Sequence, residues 1–559
     1  MLPGPTTITV APDPATVDIG GSVRLTATAH FDDGTPDDDW THVVTWYSLD
    51  HDVATVNSGS YWGGLTYGLG VGSTDIGAYY SRSVPLDYGD LPLPGDPPSD
   101  DYSVGFTSLT AEVAPPPPPD PDGRFLVAFD APALEPYPDW TRLDDIPNLV
   151  TSYTIDRGRQ NELDRVDAGR ATVTIIDTDG ILDPTNPDGP YYGKIKPRRQ
   201  AMLGRRDPVT GDWQIRFRGY IEDLVYEADP SQKLNRLTIT LLDLFDVLAR
   251  AEMQPGTCGS PVSFTEVGPE EIYYEIETTS NRIDHILADF GVPAPFQSVL
   301  VTDSSVWRVI YSAGESALSA LQEAADAELP GTNVYCDRRG RFCFHGRNAK
   351  FHPDDTAAAA GGLWDFQQWK AGDGAAVTAS PSDTSQLRAF GFSREHSKII
   401  NSAVVTTVPE RDPDSDDPDH VNRAHITDTA SINEFGVCSW SAENLLTSDD
   451  LDGTQVNRIA NYFVSNYAQP KDRIQAIEFR SLRPDDTRAA ANWQLLTQVD
   501  IGDAIEVTVG LPGGGGFTSA GYFIEGIHEQ ARPLVPDYDD VTVSLDLSPR
   551  AYYDTDPWA

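Results

Sequence analysis

Residues 153–203 read YTIDRGRQNELDRVDAGRATVTIIDTDGILDPTNPDGPYYGKIKPRRQAML, and this stretch decides how the rest of the chain is read. Ala171 to Ile176 alternates in the period-2 manner of a half-buried strand. Asp177-Thr178-Asp179-Gly180 then supplies a turn. A loop punctuated by Pro, Asn and Gly follows (Asp183-Pro184-Thr185-Asn186, then Pro190-Tyr191-Tyr192-Gly193), and it leads into a second, basic strand.

Working outward, Trp213 to Leu224 alternates like a strand running from edge to core, and Leu237 to Leu241 is another strand. The second runs into a short helix over Asp243 to Ala249. Residues 251–390 read as mixed α/β. Thr279-Ser280 caps a helix over Asn281 to Phe290, with Ile283, Ile286 and Leu287 on one face and Gly291 ending it. Ser316 to Leu329 predicts a second amphipathic helix, with Leu318, Leu321, Ala325 and Leu329 at helical spacing. A hairpin follows, Asn333 to Cys336 and Arg341 to Phe344 around Asp337-Arg338-Arg339-Gly340. From 391 the chain is β-rich again. Ile399 to Val408 is a strand, and Thr454 to Tyr467 is a helix with Val456, Ile459, Ala460 and Phe463 inward. Strands are expected at Arg473 to Phe479, Ala504 to Val509, Tyr522 to Ile527 and Val541 to Leu547.

Residues 1–113 form a separate all-β unit. Thr7 to Val10 and Val23 to Ala29 alternate, Gly20-Gly21 and Asp32-Asp33-Gly34 mark turns, and Val43 to Trp46 and Val53 to Val56 supply further strands, a spacing that suggests a β-sandwich. The order ATVDIGGSVRLTATA (15–29), VTWYSLDHDVATV (44–56) and GVGSTDIGAYY (70–80) resembles the bacterial Ig-like repeat of group 2. That resemblance implies Trp46 as the central core aromatic and Gly72 as a turn glycine. Five successive prolines, Pro115 to Pro119, enforce extended geometry, so residues 114–123 read as a semi-rigid linker.

The rest resembles the tail-hub, or minor tail, proteins of long-tailed phages and archaeal tailed viruses. The resemblance rests on the quoted stretch, on FRGYIEDL (217–224) with LTITLLDLFDVLA (237–249), on ALSALQEAADAE (317–328) with YCDRRGRFCF (335–344), and on DIGDAIEV (500–507), in that order. It implies a multidomain, mainly β chain with α+β parts. After the Ig-like sandwich would come a first hub β-barrel at 124–250, a mixed α/β peripheral domain at 251–390, and a second hub β-barrel with a helical insertion at 391–559. It further implies a structural virion protein, a homotrimer at the tail tip or baseplate, assembled in the host cytoplasm. There it would close the tail tube, let viral DNA pass without specific binding, and meet the distal tail protein, the tape-measure protein and fibres or a spike. The alternatives are a host-surface adhesin or receptor-binding tail protein, with the Ig-like unit as the binding part, and a tail-associated envelope hydrolase.

The charge is extreme, with 86 acidic against 40 basic residues and a formal net charge of −46. Asp outnumbers Glu about three to one, and Arg outnumbers Lys between four and five to one. Such a load repels itself in dilute buffer and is screened in concentrated salt, which fits a halophilic habitat, with simple solubility as the alternative reading. It also argues against ordinary nucleic-acid binding, which needs clustered Lys and Arg. No apolar h-region and no run of 18 apolar residues is visible, so neither a signal peptide nor membrane insertion is expected.

Chemistry-bearing motifs are few, and we expect no enzyme, no cofactor and no metal. Cys258, Cys336, Cys343 and Cys438 are too few for a disulfide framework. Cys336 and Cys343 flank the 339–340 turn symmetrically and would lie opposite each other on one hairpin face with His345. A metal there would need further ligands, a cross-strand disulfide would be strained, and small buried hydrophobes is the preferred reading. Asp177-Thr178-Asp179-Gly180 lacks the bidentate glutamate of a calcium loop, since position 188 is Asp188, and the intervening prolines break the loop-helix context. Gly513 to Gly516 lacks the following Lys-Ser/Thr of a phosphate loop and reads as a hairpin tip. Asp37 to Asp39 and Asp412 to Asp419 read as solvated surface.

Overall fold

The computed structural model describes residues 5–18, 22–31, 38–41, 43–51, 53–56, 65–68, 71–81, 102–112, 122–143, 150–177, 179–229, 234–255, 258–259, 271–274, 276–300, 302, 304–352, 368–369, 377–379, 387–393, 398–408, 421–447, 454–471, 473–510, 516–534 and 538–554. Gly20-Gly21, Asp32-Asp33-Gly34, the 115–119 prolines, Asp412 to Asp419 and Gly513 to Gly515 lie outside the described residues. Two compact units emerge, residues 1–119 and 120–559.

In the first unit, short strands make three sheets around one core. Tyr102–Glu112 pairs with Gly72–Ser81 and, in parallel, with Ala15–Asp18, while Thr7–Ala11 pairs with Thr26–His30. Ile8, Val10, Leu25, Ala27, Trp46, Ile76 and Leu109 fill the interior. Trp46 is the core aromatic expected, and its indole N–H, a donor that must find a partner once buried, reaches the Thr41 carbonyl at 2.8 Å. Gly72 is not in a turn. It opens a strand and pairs with Ala111, and a Cβ there would meet the Val53 Cγ2 at 2.8 Å, so close packing is what demands glycine.

The second unit is organised by a fourteen-stranded sheet. Its order runs Thr141–Arg142, Phe125–Ala128, Gln200–Arg206, Trp213–Asp229, Leu234–Leu242, Arg170–Ile176, Val150–Gly158, Gly516–Leu534, Tyr538–Pro549, Arg473–Arg480 and Leu387–Ser393. Ala504–Gly510 pairs with Gly516–Leu534 and takes Gln368–Trp369 and Val377–Ala379 in parallel. The pivotal pairing is antiparallel and long-range, from Tyr153 opposite Ala531 to Gly158 opposite Gly526. Strands from the two β-rich segments therefore form one continuous sheet, and no barrel closes among the described residues. Val173, Phe217, Ile239 and Leu241 share a core with Trp493, Ile524, Ile527 and Val543.

The local elements follow their caps. The Thr279–Asp289 helix is capped by Thr278, one residue earlier than read from sequence, whose hydroxyl accepts from the Asn281 amide. Gly291 takes φ +64 beyond the helix end, the left-handed C′ conformation glycine tolerates best. Ser316 caps Ala317–Asp326, which stops three residues short of Leu329. Thr454–Tyr467 buries Val456, Ile459, Ala460 and Phe463 as expected, and each larger side chain contributes about 1.5–3 kcal/mol. That helix backs a small sheet of Arg423–Thr427, Ser402–Thr407 and Ser439–Leu445, the central strand being shorter than the 399–408 expected. No described helix is long and apolar enough to cross a membrane.

Candidate functional site: a buried charged joint at the sheet seam

The sequence-derived candidates disperse. In the hairpin, Cys336 opposes Phe342 and Tyr335 opposes Cys343, a register one residue away from symmetric. Directly opposed residues share a face, so the two cysteines point to opposite faces, and neither a cross-strand disulfide nor a shared metal site is built there. The shift arises because the loop holds five residues, Asp337 to Arg341, closed by the Asp337 amide on the Arg341 carbonyl. Both thiols are free, and burial pushes them well above their ordinary range. His345 is on the Cys343 face, and burial, reinforced by Arg341 and Lys350, lowers it to about 3. Asp177 closes its own turn. Its carboxylate accepts the Ile181 and Leu182 amides, each at 2.9 Å, and the Tyr226 hydroxyl at 3.1 Å. Among the described residues no three His, Cys, Asp or Glu side chains converge as metal ligands would. Of the glycine run only Gly516 is described, and it pairs with Gly510 in antiparallel register.

What the structure brings together is a set of buried charges that the sequence reading did not single out. Gly516–Leu534 carries Glu529 in phase with Ile527 and Ala531, so the carboxylate faces the core. Arg205 and Arg216, from the Gln200–Arg206 and Trp213–Asp229 strands, both grip it, and all three side chains are 0% exposed. The Arg216 Nε also donates to Glu529 Oε1 at 3.0 Å.

A helix end satisfies others of the guanidinium N–H groups. Ala489–Gln498 terminates with carbonyls that lack intrahelical partners, and its dipole favours cations there. Arg205 donates to Leu496 O, and Arg216 and Arg338 donate to Thr497 O, each at 2.8 Å. Arg205 also reaches the Tyr153 hydroxyl at 3.2 Å, which donates to Asp539 at 3.2 Å, and Asp539 takes Arg124 at 2.7 Å.

Two further contacts extend the joint. Arg157 meets Asp500 at 2.8 Å, and the other Asp500 oxygen accepts the Arg338 amide at 3.0 Å. Glu525, earlier on the strand that carries Glu529, accepts Arg159 at 2.8 Å, Lys350 at 2.5 Å and Ser548 at 2.6 Å. Lys350 also lies over the Tyr553 and Phe523 rings, 5.1 and 5.5 Å from their centroids.

Burial alone would raise both carboxyls. Instead Arg205 and Arg216 hold Glu529 at about 2, and Arg159 and Lys350 hold Glu525 at about 2. Burial would raise Asp500 too, and Arg157 and Arg338 outweigh it. Groups so far below neutrality exchange no proton near pH 7, so they serve geometry better than acid–base chemistry. The sequence signal was present but ambiguous. Charges within QAMLGRR (200–206), QIRFRG (214–219) and FIEGIHEQA (523–531) read as a solvated strand face unless the covering element is known.

Comparison with known proteins assigns the N-terminal unit: residues 5–82 match the bacterial Ig-like domain (group 2) family model, so the chain begins with an Ig-like domain. No curated protein matches the chain. Among solved structures, it is similar to the 43 kDa tail protein of prophage MuSo2 from Shewanella oneidensis at 11% identity and a TM-score of 0.44, covering 77% of this chain and 100% of that one. It is similar to a tail protein from Neisseria meningitidis MC58, at 11% identity and a TM-score of 0.43, covering 78% and 99%. A third likeness is to prophage tail protein gp18 from Listeria monocytogenes EGD-e, at 9% identity, a TM-score of 0.40 and coverage of 76% and 94%.

Proposed function

We propose that the chain is a structural subunit of a viral tail tip, three copies of which close into the hub ring where tube meets fibres or spike. The observation that supports this best is the joint itself. Strands from 125–242 and 473–549 share one sheet, and buried ion pairs lock them where a hinge would otherwise lie. A ring subunit has to hold two β modules at a fixed angle, because a small angular error in each copy prevents closure. In this reading 124–250 and 391–559 are the two ring modules, 251–390 is peripheral, and 114–123 tethers the Ig-like unit. The distal tail protein, the tape-measure protein and fibres or a spike are the neighbours. The net charge of −46 suits a bore through which DNA passes without adhering. Reconstruction of the tail tip tests the reading: three copies in a closed ring are expected, and one or six copies would refute it.

A further inference from the structure

Residues 189–206, GPYYGKIKPRRQAMLGRR, contain six basic residues and no acidic one, in a chain whose acids outnumber its bases 86 to 40. Arg205 belongs to the joint. Lys194, Lys196 and Arg198 lie instead on the loop that crosses from Arg170–Ile176 to Gln200–Arg206, past the ends of the two strands between them.

This loop is anchored from beneath. Leu182 is buried, Tyr191 stacks on Phe129 with centroids 4.9 Å apart, and the Asn186 amide donates to the Gly180 carbonyl at 3.1 Å. At the far end the Arg198 amide donates to Ile221 O at 2.7 Å, and Arg199 donates to Ala131 O at 2.7 Å. Arg198 itself sits at φ +67, a conformation non-glycine residues rarely adopt. What the anchored loop presents outward is Tyr192 at 54% exposure, Lys194 at 47%, Arg198 at 48%, and Lys196, which makes no ion pair among the described residues.

We infer that this loop is the docking element by which one copy of the chain grips the acidic surface of the next, an inference that rests on the ring reading above. Charge complementarity identifies the partner: a chain of net charge −46 carries a large excess of carboxylates, and the run 189–206 is a local exception. An exposed tyrosine and an exposed arginine on one loop also match the residue types enriched at protein interfaces. Duplex DNA fits less well. Asp130 and Asp246 flank the loop, 3.3 Å from Lys194 and 3.4 Å from Arg198, and would repel continuous phosphates, whereas spaced carboxylates can interleave with them.

The test is sedimentation equilibrium of the full chain at moderate salt, with Lys194→Glu/Lys196→Glu/Arg198→Glu and the charge-conserving Lys194→Arg/Lys196→Arg/Arg198→Lys as variants. The reversed variant is expected to melt like the wild type and to self-associate on the order of tenfold to a hundredfold more weakly. The conserving variant should assemble normally. If the reversed variant assembles like the wild type, the loop is not the docking element, and the ring reading stands. A wild type that stays monomeric at every concentration and salt overturns both. Wild-type binding to duplex DNA that is lost in the reversed variant, without self-association, reassigns the loop to nucleic acid and overturns the inference.

Discussion

Glu529→Gln keeps the side-chain volume and removes one charge from the centre of the joint. In the wild type, burial pushes this carboxyl up from its ordinary 4.5, yet Arg205 and Arg216 bring it down to about 2. At about 1.4 kcal/mol per tenfold change in acidity, that difference is worth roughly 3 kcal/mol of folded-state stability. Removing one partner of a buried pair, which strands the opposite charge, costs about 3–5 kcal/mol, so the two routes agree. Urea unfolding at pH 7, followed by hydrogen exchange in peptides covering 200–229 and 516–534, should therefore show a loss of about 3–5 kcal/mol. Because the folded value is depressed, the wild-type contribution is complete above about pH 4.5 and disappears as pH falls toward 2. The Gln variant should lack that share of the acid transition. Replacing all three charges together (Arg205→Met/Arg216→Met/Glu529→Leu) should cost less than Glu529→Gln, since no charge is left stranded. A Gln variant within about 1 kcal/mol of wild type, a third of the expected loss, would refute the argument.

Gly158→Ala should destabilise the seam by about 2 kcal/mol or more. A Cβ there would lie 2.2 Å from the Glu525 carbonyl at φ +89, and an unchanged melting temperature would contradict this. His528 bridges Asp156 at 3.0 Å and Asp546 at 2.8 Å, and those bonds raise it to about 10. Its contribution is complete below about pH 6.5 and is lost as pH rises through about 10. Because the ring is 42% exposed, His528→Ala should cost under about 1 kcal/mol at pH 6 and nothing measurable at pH 11, as compared by urea titration. Deleting residues 1–119 should leave the melting temperature and assembly of the remainder unchanged, as measured by calorimetry and light scattering. The melting temperature of the full chain should rise between low and molar sodium chloride, and a flat or falling trend would remove the electrostatic argument.

Legibility in the sequence followed the range of the interaction that decides each feature. The helix over 454–467, the helix start at Ser316 and the stop at Gly291 depend on neighbours within a turn or two, and the sequence pattern located them. The Thr278 cap was missed by one position because two adjacent threonines offer the same hydroxyl. The hairpin was located, but its register was not: a five-residue loop shifts every pair by one, and one residue exchanges faces. Gly72 looked like a turn glycine because only the side chain opposite, Val53, reveals that the constraint is steric.

The joint failed to show for a stronger reason. Arg205 and Glu529 are 324 positions apart, and nothing within either strand says that the other covers it. A charge in a period-2 strand defaults to the solvent face, and it becomes a core residue only when a partner of opposite sign arrives with the correct register. That makes the seam cooperative. Arg205, Arg216 and Glu529 are tolerable in the core only together, and the free helix-end carbonyls of Leu496 and Thr497 complete the set. Such an arrangement contributes less net stability than an apolar core of the same volume, but it accepts few alternative registers, since a one-residue slip of the Glu529 strand would turn the carboxylate out of the core and leave Arg205 and Arg216 buried and unmatched. In the ring proposed above, the two halves of each subunit would have to meet at one angle, and a core that holds ions where leucines would fit supplies that intolerance of alternatives.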